Sequence, residues 1–332
     1  MKKVKSMVLM AALVSGVGAA AENPLWLRNA AISPDGKTVA FTYKGDIFTV
    51  PVTGGQARQL TTSKEYDSAP MWAPDGKRIV FTSNRLGSDD IYIIPAQGGT
   101  ARRLTTYVGT ETPLTFLPDG RLLFSANIMP GRTTAQAPFG NQMYVIDPEI
   151  DSPRPELYLS VPALSASANA EGKILYQDKK GFENIWRKHE RSSGTSDVWM
   201  VDPAGKFTQL TTFNGHDLNP VWGSGDTFYY LSEEADNNLN VYQGTAKAGQ
   251  KGKQLTFFKE NPVRSLSVSN NGVLAFSQDG ELYTMPANGK PQKINVQIIT
   301  DDFNNDIIKS FSNRGASTMA VNKAADEVAF VI

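Results

Sequence analysis

The chain carries few groups suited to covalent catalysis. It has two histidines, His189 and His216, and no cysteine. General bases are therefore scarce, and a thiolate nucleophile or disulfide framework is excluded. A serine nucleophile on a strand-to-helix elbow needs G-x-S-x-G. The nearest stretch, V-W-G-S-G-D around Ser224, has Trp222 where the first glycine is required. Neither H-E-x-x-H nor G-x-x-x-x-G-K-[ST] occurs. D-D-F-N-N-D, from Asp301 to Asp306, superficially matches a calcium loop but lacks its glycine and distal glutamate. It reads as a polar linker. His189 and His216 fall in neighbouring connections and are expected to lie close in space. A zinc site needs three or four ligands, and none is evident beside them. Both are read as surface residues, with no metal and no cofactor. No complete catalytic centre is expected.

Binding chemistry is better represented. Two long stretches, Ala126 to Gln142 and Asp178 to Ser196, hold Arg132, Phe139, Phe182, Trp186, Arg187, Lys188, His189 and Arg191. Cationic and aromatic side chains mixed in this way suit peptide carboxylates or a neighbouring protein domain. The eight form the candidate contact patch.

The elements that must position this patch are written as a repeat. S-P-D-G-K-T-V-A-F (Ser33–Phe41), A-P-D-G-K-R-I-V-F (Ala73–Phe81) and L-P-D-G-R-L-L-F (Leu117–Phe124) are each a strand, a tight turn and a strand. A second phrase follows each hairpin, as in G-D-I-F-T-V-P-V-T-G-G-Q-A-R-Q-L-T-T (Gly45–Thr62) and D-D-I-Y-I-I-P-A-Q-G-G-T-A-R-R-L-T-T (Asp89–Thr106). The unit thus has four strands. Turn positions Gly36, Gly76, Gly120, Gly172, Gly225, Gly272 and Ala325 are separated by 40, 44, 52, 53, 47 and 53 residues. That period, with four strands per unit, predicts an all-β, six-bladed propeller of four-stranded antiparallel blades. A seventh hairpin starts what is expected to be a second propeller. Within a blade, the turns joining strands one–two and three–four share one face. The loops joining strands two–three and the connections between blades share the other, where both long stretches fall. Each blade is expected to own its four strands, so closure would rest on apolar contact between blades one and six.

The first residues, with Lys2, Lys3 and Lys5 before a short apolar run and Ala19-Ala20-Ala21, read as a signal peptide. The apolar run is below the ~20 residues of a membrane span, so no stable span is expected and the chain is placed in the periplasm or outside the cell. Removing the leader leaves 30 basic against 33 acidic residues, a balance that does not suggest nucleic acid. The expected boundaries are 1–21 signal peptide, 22–297 propeller, 298–316 linker and 317–332 the first strands of a second propeller.

The phrase S-P-D-G-K-x-x-A-F followed by D-I-[YF]-x-[VI]-P-x-x-G-G-x-x-R-x-L-T resembles the TolB-type repeat. N-P-L-W-L-R-N-A-A-I-S-P-D-G-K-T-V-A-F, and N-I-W-R-K-H-E-R-S-S-G-T-S-D-V-W-M-V-D with the F-T-Q-L-T-T-F-N-G-H-D-L-N-P-V-W that follows, are similar to the first propeller of bacterial tricorn-like serine proteases. The resemblance implies a noncatalytic propeller gating or guiding peptides for a serine peptidase core supplied by further domains. It carries over no catalytic residue, because no position matches the nucleophile or histidine motifs. The implied partners are peptides or those protease domains, and any homo-oligomer is expected through the full-length protein. Two alternatives stay open: a TolB-like periplasmic binding protein, and the propeller of a prolyl-oligopeptidase-type hydrolase.

Overall fold

The computed structural model describes residues 24–128, 141–181, 189–235, 237–299 and 318–331. Among them are six four-stranded antiparallel sheets and no helix. Blade one is Arg28–Ile32, Thr38–Tyr43, Asp46–Pro51 and Arg58–Gln59; blade two is Asp67–Trp72, Arg78–Ser83, Asp90–Pro95 and Arg102–Arg103. Blade three is Thr112–Phe116, Leu122–Ala126, Gln142–Ile146 and Glu156–Leu159; blade four is Ala163–Ala168, Ile174–Asp178, Val198–Val201 and Phe207–Gln209. Blade five is Asp217–Trp222, Thr227–Ser232, Asn240–Thr245 and Lys253–Gln254; blade six is Val263–Val268, Val273–Gln278, Glu281–Pro286 and Gln292–Lys293.

The blades are held by alternation. Successive side chains of a strand point to opposite faces of its sheet, and here both faces meet a neighbour. Ile79 and Phe81 pack on blade one, whereas Val80 between them packs on blade three. Leu122 and Phe124 face blade two, and Leu123 faces blade four. Middle strands buried on both sides read as near-continuous apolar runs, which is why V-A-F, I-V-F and L-L-F recur.

The repeated L-T-T ending has a physical role. The first threonine accepts an N–H at the start of strand three: Ile47 to Thr61 at 2.9 Å, Ile91 to Thr105 at 2.8 Å, Val198 to Thr211 at 2.9 Å and Val241 to Thr256 at 2.8 Å. In blades one and five its hydroxyl also donates to the polar residue opening that strand, to Asp46 at 3.0 Å and Asn240 at 2.9 Å. Thr256→Val would leave the buried Val241 N–H unpaired and take one of two hydrogen bonds from the Asn240 amide oxygen, which keeps the Phe258 N–H at 2.8 Å. It should cost about 1–3 kcal/mol in denaturant unfolding, whereas the same change at exposed Thr62 should cost almost nothing. The repeated A-R-x-L phrase also has a reason. Arg58 reaches the side chain and carbonyl of Gln97 on blade two, and Arg102 reaches the carbonyls of Pro148 and Ile150 on blade three. Each outer strand is thereby strapped to the next blade.

Ring closure differs in part from expectation. No blade borrows a strand, and Leu27, Ile32, Phe41 and Val50 of blade one pack with Ala275, Leu282, Ile294 and Val296. Apolar contact has company, however. Val296–Gln297, just past blade six, pairs in parallel with Gly55–Gln56 of blade one. Gly55 N–H meets the Asn295 carbonyl at 2.9 Å and Ala57 N–H the Gln297 carbonyl at 2.7 Å. The backbone of Val296–Gln297 is partly buried beside the glycine turn and must pair somewhere.

Residues Ile299–Ile332 form a separate unit. Within it, Thr318–Val321 pairs antiparallel with Val328–Val331. Ala325 takes φ 58° at the turn position that carries glycine in the blades. Met319, Val328 and Phe330 are exposed, and a two-stranded hairpin alone is marginal in water. Residues 1–21, expected to be a signal peptide, most of the expected linker 298–316 and the acidic stretch Asp301 to Asp306 lie outside the described residues.

Candidate functional site

The first strand of every blade lines a central channel of about 830 Å³. Each of these six strands is broken by a register shift in its pairing with strand two. A bulge bends a strand, re-aims its side chains and interrupts its free edge. In four blades the bulge holds a non-glycine residue in the left-handed region: Asn29 (φ 54°), Ala69 (φ 50°), Asn219 (φ 50°) and Ser265 (φ 56°). Ala69 and Asn219 also precede prolines, Pro70 and Pro220, a position where helical backbone angles are disfavoured. Backbone strain of this kind persists only where surroundings over-determine it, and it concentrates at functional sites.

The inner edges are satisfied in part from within. An open strand edge offers N–H groups to any passing chain, but side chains of adjacent blades take several of these. Ile32 N–H donates to Ser267 Oγ at 3.0 Å, Ala168 N–H to Thr115 Oγ1 at 3.2 Å and Trp222 N–H to Ser167 Oγ at 3.1 Å. The Asn219 amide spans to blade six, accepting from Leu266 N–H at 2.8 Å and donating to its carbonyl at 3.2 Å. Small residues such as Ala166, Ser165 and Ser265 keep the wall low. Several backbone donors of the channel wall are thus already engaged between blades.

The face with the between-blade connections is rich in buried acids. At three junctions a further acid lies beside an ion pair. Asp67 pairs with Arg85 at 2.7 Å while Asp46 lies nearby; Asp90 pairs with Arg103 at 2.7 Å beside Glu111; Asp197 pairs with Lys180 beside Asp217. Burial pushes the Glu111 carboxyl up to about 7 and the Asp217 carboxyl up to about 7. It pushes Asp46 up to about 6. The second acid of each junction lies beside an acid that already holds the local cation, and its charged form is penalised.

Of the candidate contact patch, Arg132, Phe139, Phe182, Trp186, Arg187 and Lys188 lie outside the described residues. His189 and Arg191 are described, and both engage blade five. Arg191 pairs with the buried Glu233 at 2.8 Å, donates to Asn237 Oδ1 at 2.9 Å and lies 4.9 Å from the Phe213 ring. His189 N–H donates to the other Glu233 oxygen at 3.2 Å. His216 is buried at 2 % exposure, and its Nδ1 accepts the Ser196 N–H at 3.2 Å. The surface reading of His216 is thus corrected: it is a packed hydrogen-bond acceptor at the junction of blades four and five. Among the described residues, no group of three or more His, Asp or Glu side chains is placed to hold a metal, and no helix is long and apolar enough to cross a membrane. The channel was not read from the sequence; in four of its lining strands a single left-handed non-glycine residue interrupts the extended backbone.

A family model described as the tricorn protease N-terminal beta propeller domain matches residues 24–290. The crystal structure of the tricorn protease superposes with a TM-score of 0.68 at 21% identity, over 93% of this chain and 29% of that one. TolB from Acinetobacter baumannii gives a TM-score of 0.54 at 16% identity, over 80% of this chain and 65% of that one. Dipeptidyl-peptidase 5 of Porphyromonas gingivalis is 41% identical over 68 residues, 18% of this chain and 10% of the relative. The chain therefore spans less than a third of the tricorn chain and a tenth of the dipeptidyl-peptidase.

Proposed function

Because this chain belongs to the tricorn protease N-terminal β-propeller family, we propose that it serves as the noncatalytic propeller of a longer, exported serine peptidase and guides peptides through its channel to or from the proteolytic core. The observation that carries this reading is the channel itself, about 830 Å³, walled in part by small residues and by strand edges several of whose N–H groups are already bonded. Such a wall favours passage over capture. The lysine-led apolar leader supports export to the periplasm or beyond. Peptidase activity belongs in this reading to further domains, and the contact patch would dock them or the peptide.

Narrowing the channel tests the proposal. Ala168 lines it and is half-buried. In the full-length protein, Ala168→Trp should lower turnover of decapeptides by about tenfold, about 1.4 kcal/mol of barrier. Cleavage of a short chromogenic substrate should persist. Equal turnover of both substrates by a correctly folded variant would show that peptides do not use the channel.

A further inference from the structure

The channel wall is uneven in the size of its side chains. The six first strands end, at the mouth formed by the P-D-G turns and their equivalents, on Ile32, Trp72, Phe116, Ala168, Trp222 and Val268. Ile32 and Trp222 are buried, and Ala168 is small. Trp72 and Phe116, on the adjacent blades two and three, are large, half-buried and line the channel. Met71, beside Trp72, is half-buried there as well. Leu164, Val221 and Val268 are also half-buried lining residues, but they stand one to a blade. Blades four and six otherwise bring hydroxyls and amides to the wall, among them Ser165, Ser167, Asn169, Ser265 and Ser267.

Packing fixes the three large side chains. Trp72 borders the core between blades one and two, and its indole N–H donates to the Ala31 carbonyl at 3.0 Å. That N–H is spent within the fold, so the indole offers a ligand its ring. Met71 and Phe116 both border the core between blades two and three. Trp72 thus lies on one side of the blade-two edge, and Met71 with Phe116 on the other. Side chains held in this way have little freedom to lose on binding. Blades two and three put no charged side chain on the channel. Their one lining hydroxyl, Thr115, already accepts the Ala168 N–H at 3.2 Å and donates to the Phe116 carbonyl at 3.3 Å. Amides stand close by: Trp72 also lines a recess of about 580 Å³ that reaches Gln97, Asn270 and Asn271. The two carboxylates of that recess are held by their own turns, Asp35 accepting the Lys37 N–H at 3.1 Å and Asp75 the Lys77 N–H at 2.8 Å. Apolar surface beside a few amide groups suits an apolar side chain carried on a peptide backbone, whose own amides need partners.

Building on the peptide-channel reading, we infer that Met71, Trp72 and Phe116 form a subsite at the P-D-G mouth of the channel for a large apolar side chain of a peptide, aromatic above all. Trp72 and Phe116 supply rings for offset or edge contact. Met71 supplies a thioether that adapts its shape and attracts an aromatic ring. Small side chains pass the low wall elsewhere, and one bulky apolar residue halts the peptide at this mouth. The three residues are then specificity-determining positions of the channel.

The test uses this chain and uncharged hexapeptides, acetyl-Ala-Ala-X-Ala-Ala-Ala-amide with X as Phe, Leu, Ala or Gln, followed by NMR titration. The Phe peptide should bind about tenfold more tightly than the Ala peptide, with Leu between them and Gln no better than Ala. Added salt should leave that order unchanged. In the chain carrying both Met71→Ala and Phe116→Ala, the advantage of Phe should shrink to about twofold or threefold; its full persistence overturns the inference. The site is also read without substitution. With X as the photoreactive benzoylphenylalanine, irradiation should cross-link the unsubstituted chain within Met71–Pro74 or Thr115–Pro118, mapped by mass spectrometry. Cross-links confined to other segments overturn the subsite even where the Phe peptide binds best, and this readout stands if the doubly substituted chain fails to fold. Equal binding of the four peptides, or no binding by any at about 5 mM, overturns the apolar preference. Passage through the channel is judged separately by the Ala168→Trp turnover experiment, so these failures are distinguishable from a failure of that reading.

Discussion

The melting temperature of the chain is expected to fall by roughly 10 °C between pH 5 and pH 8. The cause lies in the three acid-rich junctions. Glu111 and Asp217 are essentially inaccessible, and burial pushes each carboxyl up to about 7. In an unfolded chain the same groups titrate near 4. Between about pH 4 and 7 the folded protein therefore holds more protons than the unfolded one, and stability falls as pH rises. The contribution is fully present below the unfolded values and is lost as pH passes through the folded ones. For the two fully buried groups it is on the order of 2–3 kcal/mol each. Asp46, pushed up to about 6 and only partly buried, adds a smaller part after solvent screening. Asp35 and Asp119 have lowered values, so their opposite contributions are lost only in acid below this window.

The attribution is checked with Glu111→Gln, which keeps the shape and fixes the neutral state. It should raise stability at pH 8 by about 1–2 kcal/mol and flatten part of the profile. At pH 5, where Glu111 is already protonated in the folded state, the change should be small. A melting temperature that is level or rises from pH 5 to 8 would show that these carboxyls are ionised in the folded protein.

The blades were legible because the sequence states their physics locally. P-D-G fixes a turn, and alternating faces that are both buried force apolar triplets such as Ile79-Val80-Phe81. Turn glycines confirm the reading: Gly36, Gly76, Gly120, Gly172 and Gly272 each donate to the carbonyl three residues back, with φ between 65° and 87°. What could not be read depends on groups brought together only by ring closure. The Thr61–Asp46 bond and its equivalents were present as a constant pairing of L-T-T with the residue opening strand three, and that signal was available. The channel wall carried no such signal. Asn29, Ala69, Asn219 and Ser265 are of mixed type, and their shared left-handed backbone shows only in three dimensions. His216 was misjudged for a related reason. A polar residue in a connection reads as solvated until the acceptor it supplies to Ser196 is seen.

Closure gives the other large effect. Val296→Asp should destabilise the propeller by about 4 kcal/mol or more, because a carboxylate would enter the apolar seam between blades six and one with no cation to pair with it. Val296 is 3 % exposed and packs in the cluster that holds Leu27, Phe41 and Ile294. Two milder substitutions separate the two bonds that close the ring. Val296→Ala removes apolar contact but keeps the parallel ladder, and should cost about 1–2 kcal/mol. Gly54→Ala attacks the ladder. Gly54 has φ 83°, and a Cβ there would sit 2.8 Å from the Asn295 carbonyl oxygen, so the turn must shift away from the strand it pairs with; a cost of about 1–3 kcal/mol follows. Val331→Asp is the control. Val331 is 60% exposed in the separate hairpin unit, and its substitution should leave the main unfolding transition within about 0.5 kcal/mol. Denaturant unfolding with limited proteolysis reads all four. In a ring, weakening one seam frees the blades on both sides of it, so Val296→Asp should also expose blades one and six to protease before blade three. If Val296→Asp unfolds no more readily than Val331→Asp, the apolar seam does not carry closure.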